Sequence, residues 1–405
     1  MTDPKKLVIL GGGASGLLLA KILSSSAQKL NLEITLVDCK TFFEYTPSLC
    51  AVLYEKTDDQ FKNHFRSITV DYASVLTPLH IRFVLGVVRE LSDEKKVITL
   101  QDGTEVSYDH CIICTGSSYH APWKTPCENN TTLQDRLDYL QSQRDQYKEA
   151  KQILCIGGGA VGVEVAGEIC CRDPSKSVTL VNAQPVVLGG APSNLGSSAQ
   201  HILENMPSLT LISNERASST DGRHYETDKS DTKIVADLVY QCTGIKPNTE
   251  FLRPTQSHWL DDKQFIKVDE FLKASNNVFA VGDCNSLDDP KMFFNAHMQA
   301  IHTAQNIKRI LKGHEPTPYK GSRAAMMVSL GPSHAVGYTM GVTLNGWPFN
   351  RKQGSKIASI SKNAIERITM DDLCLEKPTN GILYYTHEKG RFIPQVIQKI
   401  CPAKQ

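Results

Sequence analysis

A strand, a glycine-rich turn and a helix occur twice in this chain in the same order, and that repeated unit limits the fold more than any other feature. The first copy reads Leu7-Val8-Ile9-Leu10, then Gly11-Gly12-Gly13-Ala14-Ser15-Gly16, then the apolar run of residues 17–23. Four apolar residues bounded by glycine make a short buried strand, and the run that follows suits a helix packed on it. Gly11 permits the tight turn, Gly13 lets the backbone approach a pyrophosphate, and Gly16 lets helix and strand pack closely. The helix start offers free N–H groups and a positive dipole to the phosphates. A second strand, residues 33–37, leads into Asp38, roughly 20 residues beyond the loop, where an acid meets a ribose.

The second copy begins with residues 152–156, followed by Gly157-Gly158-Gly159-Ala160-Val161-Gly162 and a helix opening with Val163-Glu164. Its next strand, 178–181, ends at Asn182. An acid there would favour NAD and a nearby arginine NADP, so a neutral residue predicts weak discrimination between NADH and NADPH. One such loop could be a bare turn; two in the same context predict two bound dinucleotides. Three more segments complete the pattern. Residues 108–116 read as a strand ending in Thr115-Gly116, residues 237–248 carry Thr243-Gly244 in the same place, and residues 277–283 end in Gly282-Asp283.

This order of motifs resembles the pyridine nucleotide–disulfide oxidoreductase superfamily of two-dinucleotide flavoproteins, over residues 5 to about 345. The resemblance implies an α/β fold with two Rossmann-like domains, the FAD domain interrupted by the NAD(P)H domain. It places FAD binding in residues 1–120 and 262–320, NAD(P)H binding in 121–261, and an interface or membrane-contact segment in 321–405. It implies non-covalent FAD with NADH or NADPH as co-substrate. Residues 42–49, with Pro47, resemble the loop near the flavin in type II NADH dehydrogenases. Residues 291–300 and 328–331 resemble the apoptosis-inducing-factor-like and ferroptosis suppressor group. By the same resemblance Asp283 faces the ribityl chain, and Cys39, Lys40 and Val88 join the cofactor site. Type II enzymes carry a Gln-Gln pair where this chain has Ile301-His302, so their quinone site is not copied over.

Disulfide chemistry needs a cysteine pair at the flavin. Cys111 and Cys114 are three apart in a strand, where alternate residues face opposite ways, so buried structural thiols are expected. The expected reaction is hydride transfer from nicotinamide to flavin, then electron passage to a quinone or another small acceptor. Two other readings stay open: a redox-sensing interaction protein with slow turnover, and a reductase of a protein or radical acceptor. Glu164, in the first turn of the second helix, and Lys291 are the candidate catalytic groups. A helix start around Asn295, Ala296 and His297 is expected to stabilise negative charge on the flavin. His297, His302 and His334 match no metal-ligand spacing, so no metal is expected.

The composition agrees with this and excludes other classes. With 44 basic and 43 acidic residues the net charge is +1, which gives no footing for nucleic acid. No apolar run approaches a membrane span. The 12 cysteines form no tight framework, and with no secretory segment a cytoplasmic chain of reduced thiols is expected. Past Arg351, basic residues Lys352, Lys356, Lys362 and Arg367 interleave with isoleucines, a spacing that predicts an amphipathic helix with a basic face. In the resembling proteins this region serves peripheral membrane contact or a homodimer interface. Residues 383–405 suggest only a short hairpin and helix.

Overall fold

The computed structural model describes residues 3–124, 130–191, 194–219, 221–322, 325–339, 341–346 and 354–374. Two parallel sheets organise the chain. The first takes β1 (Lys5–Leu10), β2 (Leu32–Asp38), β3 (Arg82–Leu85) and β4 (His110–Ile113). The second takes β5 (Gln152–Ile156), β6 (Ser177–Asn182), β7 (Leu209–Ser213) and β8 (Leu238–Gln241). The chain then returns to the first sheet with β9 (Val278–Ala280). The resulting orders, β3-β2-β1-β4-β9 and β7-β6-β5-β8, are the same pattern written twice, and they match the doubly wound arrangement.

The sequence explains why these strands lie at the centre. Leu7, Val8, Ile9 and Leu10 are all at most 1% exposed, a continuous apolar run that only a sheet covered on both faces can bury. Register is parallel throughout, with Leu7 opposite Ile34 and Val8 opposite Cys111. Cys111 sits in one apolar core and Cys114 in another, so the two thiols face opposite sides as expected.

Five helices matter for the site. α1 (Ala14–Ala27) and α3 (Ala160–Arg172) follow the two glycine turns. α2 (Leu133–Glu149) begins with a reciprocal cap in which Asp135 N–H donates to Thr132 Oγ1 and Thr132 N–H to the Asp135 carboxylate. α4 (Phe293–Ile310) packs along α1 and starts two residues before the expected Asn295. α5 (Lys356–Cys374) packs on a three-stranded antiparallel meander, β10 (Met326–Ser329), β11 (Ala335–Thr339) and β12 (Val342–Leu344).

Two expectations need correction. α5 exists, and Lys356 and Arg367 face solvent, but its faces are not sorted as expected: Ile357 and Ile360 are also 67% and 66% exposed, while Lys362 turns inward. The helix buries the charge of Lys362 because Glu164 on α3 pairs with it. Lys352 and residues 383–405 lie outside the described residues. The second correction concerns thiols. Nine described cysteines are free, but Cys39 is disulfide-bonded, so the thiols are not all reduced. No described helix is long and apolar enough to cross a membrane.

Candidate active site

Both glycine turns have one geometry, set by close contacts that only glycine allows. Gly11 and Gly157 have φ of 93° and 111°. A Cβ on Gly16 would lie 1.8 Å from the Gly11 carbonyl oxygen, and one on Gly162 would lie 1.9 Å from that of Gly157. These contacts hold each helix start against its strand. At Gly13 and Gly159 the position of a Cβ meets nothing within 4 Å. The third glycine of each turn therefore faces open space, the approach a pyrophosphate needs. Gly12 and Gly158 are covered instead, by the Tyr72 hydroxyl and by Asn182.

A cavity of about 2120 Å³ opens over the first turn. Single-ligand pockets run to roughly 1,000 Å³, so this one has room for more than one molecule. Its wall includes Gly11, Gly13, Ala14, Ser15, Asp38, Cys39, Lys40, Pro47, Val88, Thr115, Gly116, Ala160, Val161, Glu164, Asp283, Lys291, Ala296 and His297. Most of the expected site residues thus converge. Gly12, Gly16, Gly157, Gly159, Gly162, Asn182, Thr243, Gly244, Gly282 and Asn295 do not line it. Asn182 is 5% exposed, with its amide donating to the Gln184 carbonyl at 2.8 Å. The Asn295 amide donates to Ser322 Oγ at 2.6 Å, and its oxygen is buried with no partner among the described residues.

Asp38, at the end of β2, accepts from Gly12 N–H at 2.6 Å, Lys40 N–H at 2.8 Å and Tyr72 OH at 3.2 Å. Burial pushes its pKa up, and the donated N–H groups only partly offset that. Asp283 is set differently. Burial alone would raise it, but the Lys124 ammonium at 2.8 Å and the Ser117 hydroxyl at 2.8 Å hold its pKa below the ordinary value. Lys291 donates to the Asn285 and Leu287 carbonyls at 2.7 and 2.8 Å, and burial pushes its pKa down. Its ammonium braces the turn after Asp283.

The halves are stitched at the Thr-Gly segments. Thr115 Oγ1 donates to the Asn248 carbonyl at 2.7 Å, and Asn248 Nδ2 donates to the Thr115 carbonyl at 2.9 Å. Ser117 and Ser118 pair antiparallel with Pro247 and Lys246.

Glu164 is 7% exposed on α3 and accepts from Ser329 N–H at 3.1 Å and from Lys362 Nζ at 2.5 Å. Lys362 also donates to Ser329 Oγ at 2.9 Å. Burial works against the lysine's charge, but Glu164 outweighs it and raises the Lys362 pKa. Around this pair Tyr45, Phe293 and His297 stand in a row, with ring centroids 4.7 and 4.3 Å apart. Among described residues no cluster suited to a metal occurs.

Sequence reasoning missed Lys124 and the inward role of Lys362. Lys124 follows Trp123 in a stretch without a motif, and nothing local points to Asp283. Lys362 carried a helical spacing, which reports a face but not which side is inward.

The model of the pyridine nucleotide-disulphide oxidoreductase family matches residues 5–306. Apoptosis-inducing factor homolog B of Dictyostelium discoideum is 30% identical over 368 residues, covering 83% of this chain and 89% of that protein. Human ferroptosis suppressor protein 1 is 29% identical over 349 residues, covering 83% and 88%. Among solved structures, the sulfide:quinone oxidoreductase of Aquifex aeolicus superposes with a TM-score of 0.70 at 17% identity, over 99% of this chain and 96% of that one, a likeness of fold. FAD and NAD(P)H are the cofactors that such a chain uses, and the open cradles at Gly13 and Gly159 fit two dinucleotides. The chain belongs to the pyridine nucleotide-disulphide oxidoreductase family, as a pyridine nucleotide-dependent flavoprotein oxidoreductase.

Proposed function

We propose that this protein passes a hydride from NADH or NADPH to FAD and the electrons onward to a quinone-type acceptor. One observation carries the reading. The cavity that contains Gly13 is also walled, past Glu164 and Lys362, by Tyr45, Phe293, His297, Ile301, Met326 and Ile365. An aromatic and apolar wall beside the nucleotide loops suits a flat, weakly polar ring.

In this reading the Gly11 to Gly16 turn and the start of α1 hold the FAD diphosphate, and Asp38 takes its ribose hydroxyls. Asp283 accepts from the ribityl chain, and Lys124 keeps that carboxylate charged. The Gly157 to Gly162 turn holds the NAD(P)H diphosphate, with Asn182 at the ribose; lacking an acid or an arginine there, the site accepts both nucleotides. We divide the chain accordingly into 1–120 with 262–320, 121–261, and 321–405. When bound, FAD supplies a two-electron store between a hydride donor and the acceptor. The protein aligns the rings and excludes water. Glu164, fixed by Lys362 and the Ser329 N–H, shapes the polar edge where nicotinamide and flavin meet. The 2.7 and 2.8 Å bonds of Lys291 keep the Asp283 turn and the start of α4 in place.

Disulfide reduction finds no support. Cys111 and Cys114 lie in separate cores, and the bonded Cys39 neighbours Asp38 at the ribose end. Rapid mixing of the FAD-loaded protein with NADH, then with ubiquinone-1, tests the reading. Fast bleaching and fast reoxidation are expected. A reduced protein that persists in the presence of the quinone would instead support a redox sensor.

A further inference from the structure

A polar group inside a protein is paired unless a ligand or water is meant to take it up. The wall of the main cavity carries a hydroxyl that the described residues leave unpaired. Tyr45 is 4% exposed on that wall, its ring edge-on to Phe293 at 64°. Its hydroxyl has no hydrogen-bond partner among the described residues.

This hydroxyl meets the cavity and not the packing. Where a partnerless hydroxyl is sealed in the interior, as at Tyr54, Tyr240 and Thr369, its oxygen touches no open space. The Tyr45 oxygen is not sealed in this way. For a side chain so nearly buried on the cavity wall, the space it meets is the cavity. A hydroxyl that no protein atom engages adds nothing to packing that phenylalanine would not give, and it carries a desolvation cost.

Its neighbours on the wall are otherwise engaged. Lys362 Nζ donates to Glu164 and, at 2.9 Å, to Ser329 Oγ, and Glu164 also accepts from Ser329 N–H at 3.1 Å. The His297 ring packs on Phe293 at 4.3 Å. Phe293, Ile301 and Met326 offer apolar faces and no donor. Burial, and then the Glu366 and Glu164 carboxylates, push the Tyr45 pKa up, so the phenol keeps its proton and remains a donor.

The backbone holds the donor in place. Tyr45 N–H donates to the Ile68 carbonyl at 2.8 Å, and Ser48 N–H donates back to the Tyr45 carbonyl at 3.2 Å, with Pro47 inside that turn. With the ring braced by Phe293, the O–H is fixed before any ligand arrives.

We propose that the Tyr45 hydroxyl donates a hydrogen bond to a carbonyl oxygen of the electron acceptor, and so selects planar carbonyl acceptors over acceptors that lack one. The proposal rests on the reading that a quinone-type acceptor is reduced in this cavity. The apolar faces hold the ring of the acceptor, and the single donor among them fixes its orientation. As electrons arrive, negative charge grows on the carbonyl oxygen, and a donor already aimed at it binds it more tightly. Tyr45 thus acts on turnover as well as on binding, and it keeps its own proton throughout.

The test uses the FAD-loaded full-length protein, wild type against Tyr45→Phe, which retains the ring and its contact with Phe293. Each is reduced with one equivalent of NADH and then mixed rapidly with ubiquinone-1 or with ferricyanide, which has no carbonyl. Reoxidation by ubiquinone-1 is expected to slow about tenfold in Tyr45→Phe, while reduction by NADH, reoxidation by ferricyanide and FAD affinity stay as in wild type. Independently of turnover, the infrared carbonyl band of ubiquinone-1 carrying carbon-13 at its carbonyls is expected at lower frequency on wild type than on Tyr45→Phe, because a hydrogen bond weakens C=O. Unchanged reoxidation by ubiquinone-1, or the same band on both proteins, would overturn the proposal. So would equal losses with both acceptors or slower reduction by NADH, which would assign the hydroxyl to the flavin or to packing. A reduced wild type that ubiquinone-1 does not reoxidise would instead refute the quinone reading, and the proposal with it; the wild type alone reveals that outcome.

Discussion

Replacing Gly13 by alanine should separate folding from cofactor binding, because in the proposed reading that glycine serves the ligand and not the packing of the protein. Gly13 has a negative φ of −68° with an extended ψ of −157°, and a Cβ there meets nothing within 4 Å. Without FAD, Gly13→Ala is expected to be as stable as wild type or about 0.4–1 kcal/mol more stable, since the unfolded chain loses freedom. With FAD the methyl stands where the diphosphate must approach. An intrusion of this size costs roughly 1–3 kcal/mol, so the affinity should fall about 5- to 150-fold. Gly16→Ala is the contrasting control. Its Cβ would lie 1.8 Å from the Gly11 carbonyl oxygen, so helix and strand must part and the FAD-free protein itself should melt earlier. Thermal denaturation of the FAD-free proteins and titration with FAD, followed by quenching of flavin fluorescence, read the two effects separately. Wild-type FAD affinity in Gly13→Ala would refute the placement of the diphosphate.

Three other perturbations follow from the same geometry. Lys362→Met leaves Glu164 buried with only the Ser329 N–H, and removing one partner of a buried pair costs about 3 kcal/mol; urea denaturation should show this, and adding Glu164→Gln should recover most of it. Burial works against the charge of His64, but Glu366 and Glu55, the latter 2.8 Å away, lift its folded pKa to about 9 against 6.5 when unpaired, so its contribution to stability is full below about pH 6.5 and lost as pH rises through about 9. Melting curves of wild type and His64→Gln should therefore converge at alkaline pH, and a gap that widens there would contradict the assignment. Lys124→Met removes the cation that keeps the Asp283 pKa low, so burial prevails; the loss of FAD affinity on acidification should set in at higher pH than in wild type.

The backbone plan was legible because it is written locally. Residues 7–16 and 152–162 state strand, turn and helix in adjacent letters, and the contacts Gly16 to Gly11 and Gly162 to Gly157 lie within one turn. Asp38 and Asp283 could be read because each ends a strand at a fixed distance from a glycine. What escaped depends on distant partners. Lys124 meets Asp283 across 159 positions and Lys362 meets Glu164 across 198. For α5 the spacing of Ile357, Ile360 and Lys362 announced two faces, and the apolar one was expected inward. The carboxylate of Glu164 draws Lys362 inward, while Ile357 and Ile360 face solvent beside Lys356 and Arg367. Cys39 shows the same limit, since a bonded thiol is invisible without its partner's position.

The central claim is that paired nucleotide sites bring a nicotinamide to a flavin in one cavity. Its most direct test is anaerobic addition of NADH to the protein reconstituted with FAD, observing the visible flavin band. Rapid loss of that band, with one NADH consumed for each FAD reduced, is the expected result. A protein that takes up no FAD, or whose bound flavin keeps its colour under excess NADH and NADPH, would contradict the account.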